Sequence, residues 1–157
     1  MSRAFTREDD NESAIAGLGE RPVSPHRNLV TRKGLAMIEA TVAALREDMA
    51  KAEAESDRGR IATVSRDLRY WTTRRETAEL SEPDAESGVV RFGMTVTIEG
   101  EDGKPRNWMI VGEDEADAAA GSISHVSPMA KALFGKSVGD VVSVAGKEWE
   151  ITGLRVV

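Results

Sequence analysis

The 157-residue chain has no cysteine, which excludes a thiol nucleophile, a disulfide framework and a cysteine-based zinc site. The same absence suits a reducing compartment, so a cytoplasmic location is expected. Aromatic residues make up only 4% of the chain, too few for a platform on which single-stranded nucleic acid stacks. No apolar run approaches the ~20 residues that cross a bilayer, and the first residues carry no apolar segment of a signal peptide, so no membrane partner is expected. Excess positive charge is also missing. With 27 acidic and 21 basic residues the net charge is -6, so any nucleic-acid contact has to be local. The two histidines, His26 and His125, lack metal-ligand spacing and read as surface or hydrogen-bonding residues. Gly17-Leu18-Gly19 has no strand before it and no helix after it, which excludes a phosphate-binding loop.

What the chain does have is a long helical pattern from Thr31 to Leu80. Leu35, Ile38, Val42, Leu45 and Met49 recur at alternating steps of three and four, as do Ile61, Val64, Leu68, Trp71, Arg75 and Ala78. That is the seam of an antiparallel coiled coil. Thr31 is the expected N-cap of the first helix, and Ser56-Asp57-Arg58-Gly59-Arg60 the reversal between the two. Each helix should hold ~24 residues and span ~36 Å, giving a stiff finger with a charged tip. The first helix carries Glu39, Glu47, Asp48, Glu53, Glu55 and Asp57; the second carries Arg58, Arg60, Arg66, Arg69, Arg74 and Arg75. Either the acidic flanks of one helix pair with the basic flanks of the other, or the arginines form a stripe that meets RNA or another anionic surface.

Four segments follow from the composition: a mostly disordered leader over 1–28, the finger over 29–81, a polar linker over 82–88 and a sheet-rich domain over 89–157. Strands are expected at Val89–Phe92, Thr95–Glu99, Asn107–Val111 and Ser122–Val126. A final hairpin pairs Val141–Val144 with Trp149–Leu154 around Ala145-Gly146-Lys147. Ser127 and Pro128 should cap and open a short helix whose buried face is Met129, Ala132 and Leu133, and Gly135 should end it. The fold class is therefore α+β, with a helical hairpin followed by an antiparallel sheet and one short helix.

Two acidic clusters stand out. Glu113-Asp114-Glu115-Ala116-Asp117 follows a strand but lacks the alternating spacing of a calcium loop, so it reads as a solvated loop that meets a basic partner surface. Glu53, Glu55 and Asp57 gather at the fingertip, where they form an ordinary solvated helix end unless something receives the finger.

An ordered series of stretches resembles the bacterial Gre transcript-cleavage factors. It runs through Phe92-Gly93-Met94-Thr95-Val96-Thr97, Ile110-Val111-Gly112-Glu113-Asp114-Glu115-Ala116-Asp117, Ile123-Ser124, Ser127-Pro128-Met129-Ala130-Lys131-Ala132-Leu133-Phe134-Gly135-Lys136 and Val138-Gly139-Asp140. Met1-Ser2-Arg3-Ala4-Phe5, Asn28-Leu29-Val30-Thr31 with Gly34-Leu35, and Arg66-Asp67-Leu68-Arg69-Tyr70-Trp71 are similar to GreB-like members. The chain is thus identified as a short-finger GreB-like or Rnk-like member of the GreA/GreB family. The resemblance implies an FKBP-like C-terminal domain that docks at the rim of the secondary channel of bacterial RNA polymerase. It also implies a finger that enters the channel and carries carboxylates toward the catalytic centre. No prolyl isomerase activity follows from the fold label. The chain would be an accessory factor with no cofactor of its own, sharing at most the polymerase's Mg²⁺, and a monomer that meets nascent RNA only indirectly.

Carried over to this chain, the resemblance makes Asp57, Glu55 and Glu53 the candidate catalytic acids and puts Arg60, Arg66 and Arg69 near the transcript. Docking falls to Glu113, Asp114, Glu115 and Asp117 and to the helix start at Ser127 and Pro128, for which plain capping is the competing reading. The family's tip motif, Gly-Asp-x-x-Glu-Asn-Ala-x-Tyr, is replaced here by Ala54-Glu55-Ser56-Asp57-Arg58-Gly59-Arg60-Ile61. The finger is also about two turns shorter per helix, or roughly 10 Å. Arg58 and Arg60 would compete for the tip carboxylates and disfavour a bound cation. A cleavage-stimulating factor, a non-catalytic channel occupant and a free-standing peptide-binding or isomerase domain are the three readings to separate. The third needs an apolar groove lined by aromatics, whereas Phe92, Trp108, Phe134 and Trp149 are expected in the core.

Overall fold

The computed structural model describes residues 19–156. Most of the expected leader, residues 1–18, lies outside the described residues. Two compact units form, one from the described residues up to 25 together with 36–77, the other from 26–35 together with the described residues from 78 onward. The division departs from the expected 28/29 and 81/82 boundaries, because residues 26–35 group with the C-terminal unit rather than with the finger.

In the first unit, the 3.5-residue apolar repeat yields α1 (Arg32–Ala54) and α2 (Arg58–Thr77), of 23 and 20 residues. Their lengths are about 35 and 30 Å at 1.5 Å per residue. The helices run antiparallel, with Met49 beside Ser65 and Asp48 beside Arg60. Ile38, Val42 and Ala52 of α1 and Val64 of α2 are buried, as the seam requires. One position shifts: Arg74, only 1% exposed, takes the buried place expected for Arg75. The reversal is tighter than expected. Ser56 donates its amide to Glu53 O and Asp57 to Ala52 O, the paired bonds of a Schellman cap, with Ser56 at φ +52 in the left-handed position. Gly59 lies inside the first turn of α2 rather than in the reversal. Residues 20–25 do not behave as a disordered leader, since Glu20 and Arg21 both engage α2.

The second unit opens with β1 (Leu29–Val30), which pairs in parallel with β2 (Glu79–Leu80) across 50 residues of chain. Glu79 N donates to Asn28 O at 2.8 Å and Ser81 N to Val30 O at 3.0 Å. Ion pairs Arg27–Glu79 and Arg32–Glu82 flank this ribbon, and each guanidinium holds its carboxylate below the usual range. A five-stranded sheet follows: β3 (Met94–Glu99), β4 (Pro105–Val111), β5 (Ser122–Ser124), β6 (Val141–Val144) and β7 (Lys147–Val156), ordered β5-β4-β3-β7-β6. The sheet is mixed rather than purely antiparallel. The 112–121 loop brings the chain back over the sheet edge, so β5 joins β4 in parallel. In β7, Thr152 is an extra residue opposite Thr97 and Ile98, a bulge that bends the sheet. A two-residue turn, Ala145-Gly146, with φ +54 and +76, closes the last hairpin, so Lys147 belongs to β7.

Residues 89–92 do not form the expected strand. Val90 N donates instead to Lys136 O, and Gly135 N to Val90 O, which ties this segment to the end of α3 (Pro128–Leu133) and buries Val90 and Phe92. The core comprises these two with Val96, Ile98, Ile110, Ala130, Leu133, Val142 and Ile151. Burying each large apolar side chain contributes roughly 1.5–3 kcal/mol. On α3 the deepest residues are Ala130 and Leu133; Met129 and Ala132 are partly buried. Trp108, Phe134 and Trp149 pack against the same core, and Trp149 also borders a small polar pocket with Asp102 and Arg106.

Candidate functional site

Three groups of side chains carry the expected functional roles, and each is built differently. At the tip of the helical pair, Asp57 is the N-cap of α2: its Oδ1 accepts from the Arg60 amide at 3.2 Å, and its carbonyl accepts from Ile61 N. Glu55 faces the Arg60 guanidinium at 3.4 Å, and the same guanidinium reaches Asp48 at 3.6 Å. Glu53 is exposed on the last turn of α1. The three acids therefore do not converge. Among the described residues no group of three or more His, Asp or Glu side chains is placed to hold a metal ion. The tip residues do not fit a Mg²⁺ site of their own.

The basic residues are matched internally. Arg60 belongs to the tip network, where the expected pairing between flanks of the two helices appears in its contact with Asp48. Arg66 reaches Asp67 on its own helix at 3.4 Å. Arg69 donates Nε at 2.9 Å and Nη2 to the Glu20 carboxylate, which lowers the pKa of Glu20. Arg21 bridges to Asp67 at 3.3 Å while its guanidinium lies 4.0 Å over the Tyr70 ring.

The acidic loop after β4 divides its residues among separate tasks. Glu115 is a strut within the second unit. Its carboxylate accepts from Thr31 N at 3.0 Å, from the Thr31 hydroxyl and from Gly112 N at 3.0 Å. Thr31 in turn caps α1, its Oγ1 accepting from Gly34 N at 3.0 Å. In a capping box the third helical residue is a Glu or Gln whose side chain returns to the cap's amide. Here that residue is Gly34, and Glu115, 84 positions from Thr31, supplies the carboxylate. A Cβ on Gly34 would lie 2.0 Å from Glu115 Cδ, so the carboxylate occupies the space a side chain at position 34 would need. Gly112 is constrained as well, since its Cβ would meet Leu29 O at 2.4 Å. Asp117 is exposed, and Glu113 and Asp114 are half-buried. Glu113 approaches His125, a buried imidazole whose pKa is lowered chiefly by burial, and which also hydrogen-bonds the Arg27 backbone.

Residues 85–156, the span that contains this loop, match the family model described as "Transcription elongation factor, GreA/GreB, C-term". Residues 85–156, somewhat under half of the chain, are thereby a GreA/GreB C-terminal domain. It is 45% identical over 86 residues to "Transcription elongation factor GreA" of Methylobacterium sp. (strain 4-46), over 51% of this chain and 54% of that protein. It is 40% identical over 108 residues to the protein of the same name from Bradyrhizobium diazoefficiens, over 66% of this chain and 65% of that protein. The chain spans about half the length of the curated relatives it matches. The crystal structure of GreA factor homolog 1 (Gfh1) of Thermus thermophilus is similar with a TM-score of 0.41 and 20% identity, over 83% of this chain and 99% of that one.

Within the GreA/GreB domain, Ser127 caps α3, its hydroxyl accepting from Ala130 N at 3.3 Å, and Pro128 occupies the first turn. The capping reading of Ser127-Pro128 thus has its geometry. Among the described residues no helix is long and apolar enough to cross a membrane. Sequence reasoning missed Gly34 and the Glu115–Thr31 contact. One signal was available: Thr31-Arg32-Lys33-Gly34 opens a helix without the expected Glu at the third position. No comparable signal marked Glu20 and Arg21.

Proposed function

We propose that the chain is a transcription elongation factor that binds bacterial RNA polymerase through its GreA/GreB domain. It would be a monomeric, cytoplasmic accessory protein rather than an enzyme. The observation that carries this reading is the family match over 85–156, which coincides with a folded sheet domain. Within the acidic loop the docking role falls to Asp117, with Asp114 and Glu113 beside it, because Glu115 is engaged with Thr31 and Gly112. The helical pair would enter the polymerase's secondary channel.

The state of the tip favours a channel occupant that does not stimulate transcript cleavage. Asp57 serves α2 as a cap, and Glu55 faces a guanidinium. Three acids (Glu53, Glu55, Asp57) against two bases (Arg58, Arg60) leave a net charge of only -1 at the tip. A cation bound there competes with Arg60 for the same oxygens. The test uses backtracked elongation complexes with the full chain. Binding without RNA shortening, together with slower shortening by a competing cleavage factor, is expected. Shortening that vanishes in Asp57→Asn would assign cleavage to the tip instead, and no binding to polymerase would overturn the whole reading. Charge reversal at Asp117 should abolish polymerase binding; unchanged binding returns that residue to plain solvated surface.

A further inference from the structure

Strand β6 ends the five-stranded sheet on one side, and its turn fixes which backbone groups face outward. Ala145 and Gly146, both with positive φ, close a two-residue hairpin, so Val144 and Lys147 exchange hydrogen bonds. Alternation gives the next such pair to Val142 and Trp149. The N–H and C=O groups of Val141 and Ser143 therefore point away from β7, to the open side of the sheet. Such an edge accepts a further strand unless charge, proline or a covering element prevents it. Val141-Val142-Ser143-Val144 carries neither charge nor proline. Val138 and Val141, each 56% exposed, are the most exposed large apolar side chains among the described residues. Val141 opens the strand, and Val138 sits in the turn before it.

The face beside this edge is acidic. Val141 lies opposite Glu150 and Ser143 opposite Glu148, while Glu150 also lies opposite Glu99 on β3, so these side chains share one face. Like charges directly opposite each other destabilise a sheet, so Glu99 and Glu150 gain from a cation brought between them. Among the described residues no ion pair reaches Glu99, Glu148 or Glu150. A lysine or arginine arriving at the edge can lay its aliphatic stem on the exposed methyls of Val141. The short Ser143 side chain leaves room for the charged head to reach the carboxylates beyond.

We propose that β6 is a strand-addition site for an extended segment of a partner protein that carries lysine or arginine at alternate positions. The segment pairs with the backbone of Val141 and Ser143, and its basic side chains cross β6 to Glu148 and Glu150. Main-chain hydrogen bonds give such a contact its affinity, and the alternate side chains give it selectivity. The four residues of β6 limit the added ladder to a short segment. The opposite edge of the sheet is β5, where Asp117 bridges to Ser122. The site is therefore separate from the acidic docking loop, and its test needs no polymerase.

The experiment adds a short capped peptide of alternating lysine and valine to the full-length protein at low salt and follows amide exchange by NMR. Exchange at Val141 and Ser143 should slow, while Val142 and Val144, whose amides already face β7, should keep their rates. Glu148→Gln combined with Glu150→Gln should weaken binding by about 2- to 30-fold, the range for two exposed ion pairs. Removing any two acids lowers the overall attraction slightly, so Glu39→Gln with Glu47→Gln on α1 is the control. Val141→Lys, at a side chain already exposed, should abolish the slowing by repelling the peptide. A peptide of alternating glutamate and valine should produce none. No slowing at Val141 and Ser143, equal losses in the two double variants, or equal protection by the glutamate peptide overturns the proposal. Protection of the same amides that grows with protein concentration without peptide also overturns it, because a second copy of the chain would then be the occupant.

Discussion

Glycine 34 should be required only because Glu115 is present. Building a Cβ at position 34 puts it 2.0 Å from Cδ, 2.4 Å from Oε2 and 2.5 Å from Cγ of Glu115, so in Gly34→Ala the carboxylate has to leave. It then loses its contacts with the Thr31 amide and hydroxyl and the Gly112 amide. A net hydrogen bond to a charged group contributes roughly 1.5–3 kcal/mol, less where water replaces it, and alanine returns up to about 1 kcal/mol of helix propensity. The balance is a loss of about 1–3 kcal/mol. In a Glu115→Ala background the obstruction is gone, and the same substitution should stabilise by roughly 0.5–1 kcal/mol. The sign of the effect therefore reverses, a coupling of about 1.5–4 kcal/mol in a double-mutant cycle. Urea unfolding of the four proteins, followed by tryptophan fluorescence, measures it, with amide exchange at Thr31 and Gly34 as the local reading. If Gly34→Ala destabilises equally with and without Glu115, the substituted capping box is not what holds the start of α1.

Further predictions follow from the caps and from one imidazole. Ser56→Gly should raise stability by up to about 1 kcal/mol, because only glycine adopts φ near +52 without a steric cost; an unchanged melting temperature would count against the Schellman geometry. Asp57→Ala should cost about 1 kcal/mol and Asp57→Asn far less, since asparagine caps as aspartate does; equal losses in thermal melts would deny Asp57 a capping role. His125 should titrate below 6.5 when its Cε1 proton is followed by NMR, because burial disfavours the imidazolium. Its neutral form is the one the fold favours, so its contribution to stability is complete above pH 6.5 and is lost as the pH falls through the lower folded midpoint. A midpoint above 6.5 would show that the nearby Glu113 outweighs burial.

Local patterns alone determined the helical pair, the hairpins and the Ser127-Pro128 helix start. Each depends on residues within a turn or two of one another: the 3.5-residue recurrence from Leu35 to Met49, the alternation in 95–99, a hydroxyl one residue before a proline. The GreA/GreB resemblance over the C-terminal stretches was equally readable, and the family match over 85–156 bears it out. The tertiary structure decided which distant partner each polar group meets. Glu115 looked like one of four solvated acids, yet it caps α1 because β4 delivers its loop to Thr31. Leu29-Val30 and Glu79-Leu80 are too short to announce a strand, and they pair only because an antiparallel helix pair returns the chain to its starting level. For the arginines of α2 the sequence left pairing and a basic stripe both open, and the fold places Asp48 against Arg60, Asp67 against Arg66 and Glu20 against Arg69. Charge and hydrogen-bonding capacity are written residue by residue, but the partner that satisfies them is set by the path of the backbone between the two.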